Sequence, residues 1–279
     1  MKIAATGKEL RKLLAGTKSK IGPRVLVPTM GALHAGHLAL MAKAREIAGA
    51  EGTVVVSIFV NPIQFNRADD LAAYPRPMEA DLAACQTAGV DVVFTPEAAS
   101  MYFPDRSITV TENLLSQELC GATRPGHFDG VCTVVLKLFL LTGCDAAIFG
   151  EKDAQQLAII RRMVRDLDVQ VEIIGHPTIR EQDGLAMSSR NVRLTPAQRA
   201  DAPKIHQALQ AAKNSGSRDA LEILRIARKG LESSGIDRTD YLSLVDAETL
   251  QPITSVQGPA LLATAVFYGE IRLIDHVTL

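Results

Sequence analysis

Residues 53–60 read TVVVSIFV, eight consecutive positions without a charge and mostly β-branched. A strand with one wet face would alternate apolar and polar side chains. A short continuous apolar run fits a parallel strand covered on both faces. Ahead of it, RVLVPTM (24–30) reads as a buried strand ending at Pro28 and followed by a turn. Between the two, GHLALMAKAREIAG (36–49) places Leu38, Met41, Ala42 and Ile47 near helical period, with Gly49 and Gly52 as stop signals. The spacing predicts a β-α-β unit.

The pattern recurs. Residues 77–88 read as a helix with proline in its first turn, closed by Gly89 and followed by the strand VDVVF (90–94). SITVT (107–111) reads as a further strand and 128–142 as a buried helix. Then come DAAIF (145–149) as a strand, 153–167 as an amphipathic helix and VQVEII (169–174) as a strand. Strands alternating with helices predict an α/β fold, a Rossmann-like doubly wound parallel sheet. Right-handed crossovers then gather the loops after the strands along one edge, where such sheets bind ligands. After about residue 182 the texture changes. Two charged amphipathic helices (196–213, 218–233) precede three strand-like stretches (239–247, 259–269, 271–279), predicting a smaller C-terminal α+β domain with an antiparallel sheet. The expected domains are 1–182 and 183–279, a division that a 279-residue chain accommodates.

Hydrophobic residues make up 47% of the chain, enough for a sizeable core. Aromatics are only 4% and tryptophan is absent, so that core rests on Leu, Val, Ile and Ala. Thirty basic against 31 acidic residues leave a net charge of -1, which argues against a broad nucleic-acid or anionic-membrane footprint but allows a local basic pocket. Cys85, Cys120, Cys132 and Cys144 form no CxxC pair and have no zinc-finger spacing. Cys85, Cys132 and Cys144 read as small buried hydrophobes, consistent with a reducing compartment. The opening MKIAATGKELRKLLAG scatters charge through its first twelve residues, and the longest apolar run, 134–141, is broken by Lys137. A soluble, cytoplasmic protein is the expectation.

The segment PTMGALHAGHLAL (28–40) joins the first predicted strand to the first helix. Gly31 and Gly36 permit close backbone approach to a ligand. His34 and His37, three apart, are neighbours in a first helical turn, where free N–H groups and the dipole favour an anion. Two imidazoles there can donate to charge that builds up at phosphorus, or can simply cap the helix. DGLAMSSRN (183–191) sets Ser188, Ser189 and Arg190 side by side, two hydroxyls and a guanidinium suited to phosphate oxygens. GEKDAQQ (150–156) follows a predicted strand, with Lys152 as a cation at its carboxyl end and Gln155 and Gln156 as readers of hydroxyl or carboxylate. In SIFVNPIQFN (57–66), Asn61 and Gln64 are candidate polar readers. RPGHFDG (124–130) reads equally as a flap over substrate or as a plain structural loop. The expectation that ties these together is that the HxGH and Ser-Ser-Arg segments act on one triphosphate.

HxGH followed by a later MSSR resembles the nucleotidyltransferase superfamily. PTMGALHAGH, FVNPIQF, YPR (74–76), RPGHFDG, GEKDAQQ, DGLAMSSRN and YLSLVDAETL, in this order, resemble the pantothenate synthetase (pantoate–β-alanine ligase) family over nearly the whole chain. FYGEIRLID departs slightly from the small-apolar run usual there. The resemblance implies condensation of pantoate with β-alanine through a pantoyl-adenylate, using ATP with Mg²⁺ and releasing AMP and pyrophosphate, in a homodimer. Carried over by position, it implies His37, His34 and Lys152 as catalytic. It implies Met30, Gly31, Ala32, Leu33, His34, Ala35, Gly36, His37, Gly150, Glu151, Lys152, Asp153, Ile179, Met187, Ser188, Ser189 and Arg190 at ATP. Gln64 and Gln156 would bind substrate, with the metal's ligands unassigned. An enzyme adenylylating a phosphate-bearing substrate, a tRNA-binding module and a silent nucleotide-binding protein share parts of the pattern. Near-neutral charge weighs against the tRNA module.

Overall fold

The computed structural model describes residues 1–15 and 22–279; Gly16, which closes the opening stretch, lies outside them. The chain forms two compact units. One comprises Met1–Glu112, Pro125–Glu151 and Ile159–Pro177, the other Asn113–Arg124, Lys152–Ala158 and Thr178–Leu279.

The first unit is built on six parallel strands: β1 (Lys2–Ala4), β2 (Arg24–Thr29), β3 (Thr53–Ile58), β4 (Val92–Phe94), β5 (Ala146–Gly150) and β6 (Glu172–His176). Their order is β1-β4-β3-β2-β5-β6. The chain builds outward from β2 in one direction and from β5 in the other, so the topological switch point lies between these two strands. β3 is buried at every position, as its unbroken apolar run requires. The core joins Val25 and Val27 of β2, Val54 and Val56 of β3 and Ile148 of β5 to Met41 and Ala44 of the helix Ala35–Ala48.

Several expectations need correction. β2 does not stop at Pro28 but runs through it to Thr29. This is tolerated because β5 pairs only Val25 and Leu26 of β2, so Pro28 lies beyond the ladder on that side. The helix Ala35–Ala48 buries Leu40, Met41, Ala44 and Ala48, whereas Leu38 is 39% exposed and Ala42 is exposed. With alanine and leucine on nearly every side, its apolar pattern does not define one face. Residues 107–111 form no strand; Val110 N–H is spent on the Thr133 hydroxyl rather than on a ladder. Short β1 carries too few residues to announce itself.

In the second unit, β7 (Arg238–Asp246), β8 (Ala260–Tyr268) and β9 (Ile271–Thr278) form an antiparallel sheet in that order. The helices Lys204–Asn214 and Ala220–Glu232 bury Leu209, Ala212, Ile223 and Ala227 with Leu244 and Leu262 of that sheet. The expected helix 196–213 is two helices. Thr195 and Gln198 cap the first reciprocally, and Pro203 sits at the start of the second. Among the described residues, no helix is long and apolar enough to cross a membrane.

Candidate active site

β2 and β3 stay in register from Arg24 to Thr29, but β2 and β5 pair only at Val25–Ala146 and Leu26–Ala147. Above those pairs the two central strands part, opening the sheet at its switch point on the carboxyl edge. The loop after β2 is Met30–His34, and β5 ends at Gly150 with Glu151 opening the turn after it. Two segments singled out in the sequence therefore leave neighbouring strands on the same edge.

The loop after β2 is internally bonded to an unusual degree. Gly31 N–H donates to the Thr29 hydroxyl (3.3 Å), which itself donates to Ser57 O (2.7 Å). Ala32 and Leu33 N–H donate to the two carboxylate oxygens of Asp81 at 2.9 and 2.8 Å. His34 N–H donates to His37 Nδ1 (3.3 Å), and Gly36 N–H donates to His34 Nδ1 (3.1 Å). The histidines thus cap the helix Ala35–Ala48. The expectation that amide N–H groups of this turn await a phosphate is corrected for residues 31–34 and 36, whose amides are already satisfied.

Capping does not remove the imidazoles from chemistry. An amide N–H can only donate, so each Nδ1 facing one is unprotonated, and the neutral ring carries its hydrogen on Nε2. The structure therefore defines both histidines as Nε2–H donors, their rings 4.1 Å apart.

Gly31 is required for an internal reason. Its φ is +80°, and a Cβ there would lie 2.8 Å from Asp81 Oδ2 and 3.0 Å from the Ile58 side chain. Ala32 also has positive φ, +51°, at a cost of about 1 kcal/mol for a residue with a Cβ. The sequence offered no local sign of Asp81, which lies on the helix Met78–Thr87.

Gln64, on the turn Pro62–Gln64 after β3, is buried. Its Oε1 accepts from the Asn61 amide (2.9 Å), and its Nε2 donates to Met30 Sδ (3.2 Å). Asn61 also donates to Gly130 O (3.1 Å) and accepts from the Tyr102 hydroxyl (2.8 Å), whose titration burial pushes well up. Asn61 and Tyr102 thereby orient the Gln64 amide with its NH₂ as the presented donor. RPGHFDG is neither loop nor flap for most of its length: His127 starts the helix His127–Thr142 and its Nδ1 lies 2.8 Å from Gln64 O.

In the second unit, Lys152 and Ser188 line one crevice with Asn191 and Asp275. Lys152 Nζ is 3.9 Å from the carboxylate of Asp153. Ile179 O accepts from Met187 N–H (3.0 Å), closing a hairpin that leads into Ser188–Arg190. Arg180, within that hairpin, forks onto both oxygens of buried Asp275 at 2.7 and 2.8 Å. His206 Nδ1 is 3.5 Å from the same carboxylate. Burial alone would raise Asp275, but His206 and Arg180 overrule it and hold the group at about 2. Gln156 is half-buried on the helix Ala154–Asp166. Gln155, read above as a ligand reader, is instead a buried staple. Its Oε1 accepts from Cys120 N–H (2.9 Å), and its Nε2 donates to Leu115 O (2.8 Å) and Glu118 O (2.7 Å).

A doubly wound sheet that opens at its switch point, with two histidines at the adjoining helix start, has the layout of an α/β enzyme that takes its ligand at the strand ends. A family profile described as pantoate-beta-alanine ligase matches residues 2–278. A pantothenate synthetase from Akkermansia muciniphila is 53% identical over 281 residues, covering 100% of both chains. The crystal structure of a pantothenate synthetase from Thermus thermophilus is similar at TM-score 0.92 and 45% identity, over 99% of each chain. A pantoate-beta-alanine ligase from Francisella tularensis, complexed with beta-gamma ATP and beta-alanine, is similar at TM-score 0.82 and 33% identity, over 99% of this chain and 97% of that one. The chain belongs to the pantoate–β-alanine ligase family. It is a ligase whose reaction is the ATP-dependent joining of pantoate to β-alanine through a carbon–nitrogen bond.

Proposed function

We propose that the enzyme works in two steps on one nucleotide. The pantoate carboxylate attacks the α-phosphorus of ATP, forming pantoyl-adenylate and expelling pyrophosphate. The amine of β-alanine then attacks the acyl carbon, loses a proton and expels AMP, leaving pantothenate. A free carboxylate is a poor electrophile toward an amine, whereas the mixed anhydride has AMP as a good leaving group.

The observation that carries this reading is the capped histidine pair beside the switch point. Neutral Nε2–H groups donate to phosphate oxygens without exchanging a proton, which suits charge that builds during in-line attack. His37 and His34 take that role. Lys152 supplies a positive charge, and Arg190 a fork for phosphate oxygens alongside Ser188 and Ser189. Met30 to His37, Gly150 to Asp153, Ile179 and Met187 to Arg190 act on ATP. Gln64 presents its NH₂ to pantoate; the Met30 thioether it now faces is a weak acceptor that a substrate oxygen displaces. Gln156 is the second pantoate reader.

Among the described residues, no three His, Cys, Asp or Glu side chains gather as metal ligands. Mg²⁺ is therefore proposed to arrive with the nucleotide, held chiefly by phosphate oxygens and water, as its reluctance to dehydrate favours. A homodimer in the cytoplasm completes the proposal; sedimentation at working concentration tests the dimer.

The decisive experiment mixes enzyme, Mg²⁺-ATP and pantoate. Pyrophosphate is expected with pantoate alone, with AMP and pantothenate appearing only after β-alanine is added. Pyrophosphate that requires β-alanine would exclude the adenylate as a separate step.

A further inference from the structure

Asp81 takes part in no step above, yet it is one of the most completely buried charged side chains in the first unit, 2% exposed. Burying a carboxylate is costly unless its oxygens are satisfied. Here the satisfaction comes from the backbone of the HxGH loop: one oxygen for Ala32 N–H, the other for Leu33 N–H. The next amide along, His34 N–H, is the one that faces His37 Nδ1. The room for the carboxylate exists because residue 31 has no Cβ.

We propose that Asp81 is a positioning residue for the histidine pair, fixing the backbone of residues 32–34 so that His37 is held as a neutral Nε2–H donor. The proposal rests on the reading of function only for its kinetic consequence. A carboxylate is the one side chain of this length that accepts from both amides at once. An asparagine in its place accepts from one and sets its NH₂ against the other. The loop must then shift, the His34 amide turns, and Nδ1 of His37 loses the donor that keeps it unprotonated.

The test compares the wild-type enzyme with Asp81→Asn by pyrophosphate release and by ¹⁵N spectroscopy of the imidazoles. Wild type is expected to show His37 in the neutral Nε2–H form. In Asp81→Asn, kcat for the pantoate-dependent step should fall roughly 10- to 100-fold, the scale of a misplaced reacting group. The KM for β-alanine should be unchanged and the His37 resonance should shift toward the other tautomer or the charged ring. A merely structural role would lower thermal stability while leaving the His37 signature in place, and that result overturns the proposal. If Asp81→Asn does not fold, Gly31→Ala crowds the same carboxylate without removing its charge and should give the same two changes. Hydrogen exchange of wild type adds a variant-free check: Ala32 and Leu33 amides should be protected, and exchange at open-loop rates overturns the proposal. Lack of pyrophosphate release by wild type would sink the reading of function instead, while the tautomer and exchange results still judge Asp81.

Discussion

The HxGH loop and the Ser-Ser-Arg loop are proposed to serve one nucleotide, but they are braced in opposite ways. In the first, the amides of residues 31–34 are each bonded to a side chain, and the supporting groups, Thr29 and Asp81, are both buried. Two successive residues hold positive φ. In the second, the rigidity lies at the base. The hairpin is tied by Glu181–Leu185 and Ile179–Met187 backbone bonds and pinned to β9 by the Arg180–Asp275 fork. In the loop that follows, Arg190 N–H donates to the Ser188 hydroxyl (3.2 Å) and the Asn191 amide to Ala186 O (3.0 Å). In one the loop's own amides are held by buried side chains, and in the other the brace lies in the hairpin that precedes the loop. That division suits the chemistry. Donors to a transition state must be fixed beforehand, whereas groups that grip a triphosphate must also let pyrophosphate leave.

The contrast is most sharply broken at His37. His37→Ala removes a fixed donor and should cut pantoate-dependent pyrophosphate release by roughly 10²- to 10³-fold, the usual cost of one lost transition-state donor. A loss under tenfold would mean that the first loop is not the rigid catalytic surface. At the stem of the second loop, Arg180→Met leaves Asp275 buried without its main partner. Urea unfolding should show the loss of about 3 kcal/mol or more. The same pair predicts an acid limit. Because the folded value of Asp275 lies below the ordinary one of about 4, its contribution is complete above that pH and is lost as pH falls toward about 2. Stability measured across that window should drop by roughly 2 kcal/mol in wild type and by less in Asp275→Asn. Past the hairpin, Asn191→Ala removes one hydrogen bond, worth about 1 kcal/mol. It should raise the KM for ATP a few-fold with little change in kcat. A kcat collapse there would place the Ser-Ser-Arg loop among the rigid parts.

How much of this could be read from the chain alone depends on the range of each interaction. The β-branched run 53–60 and the glycine stops around the first helix carry their signals within a few residues, so the α/β sheet was legible. Pro203, inside the first of the two expected charged helices of the second unit, was visible too, yet only the structure shows that it divides that helix in two. Gln155 and Gln156 look alike in sequence. A rotation of about 100° between adjacent helical positions makes the first a buried staple and leaves the second half-exposed. Leu38 and Leu40 differ in the same way.

By itself, the order of residues determined that a strand, a turn and a helix start would meet at His34 and His37, because those preferences are local. It could not decide what the backbone amides of that turn would do. That was settled by a carboxylate from another helix reaching under the loop, and by two central strands that part after their second pair. Both depend on how distant segments pack, and no short-range preference encodes such packing.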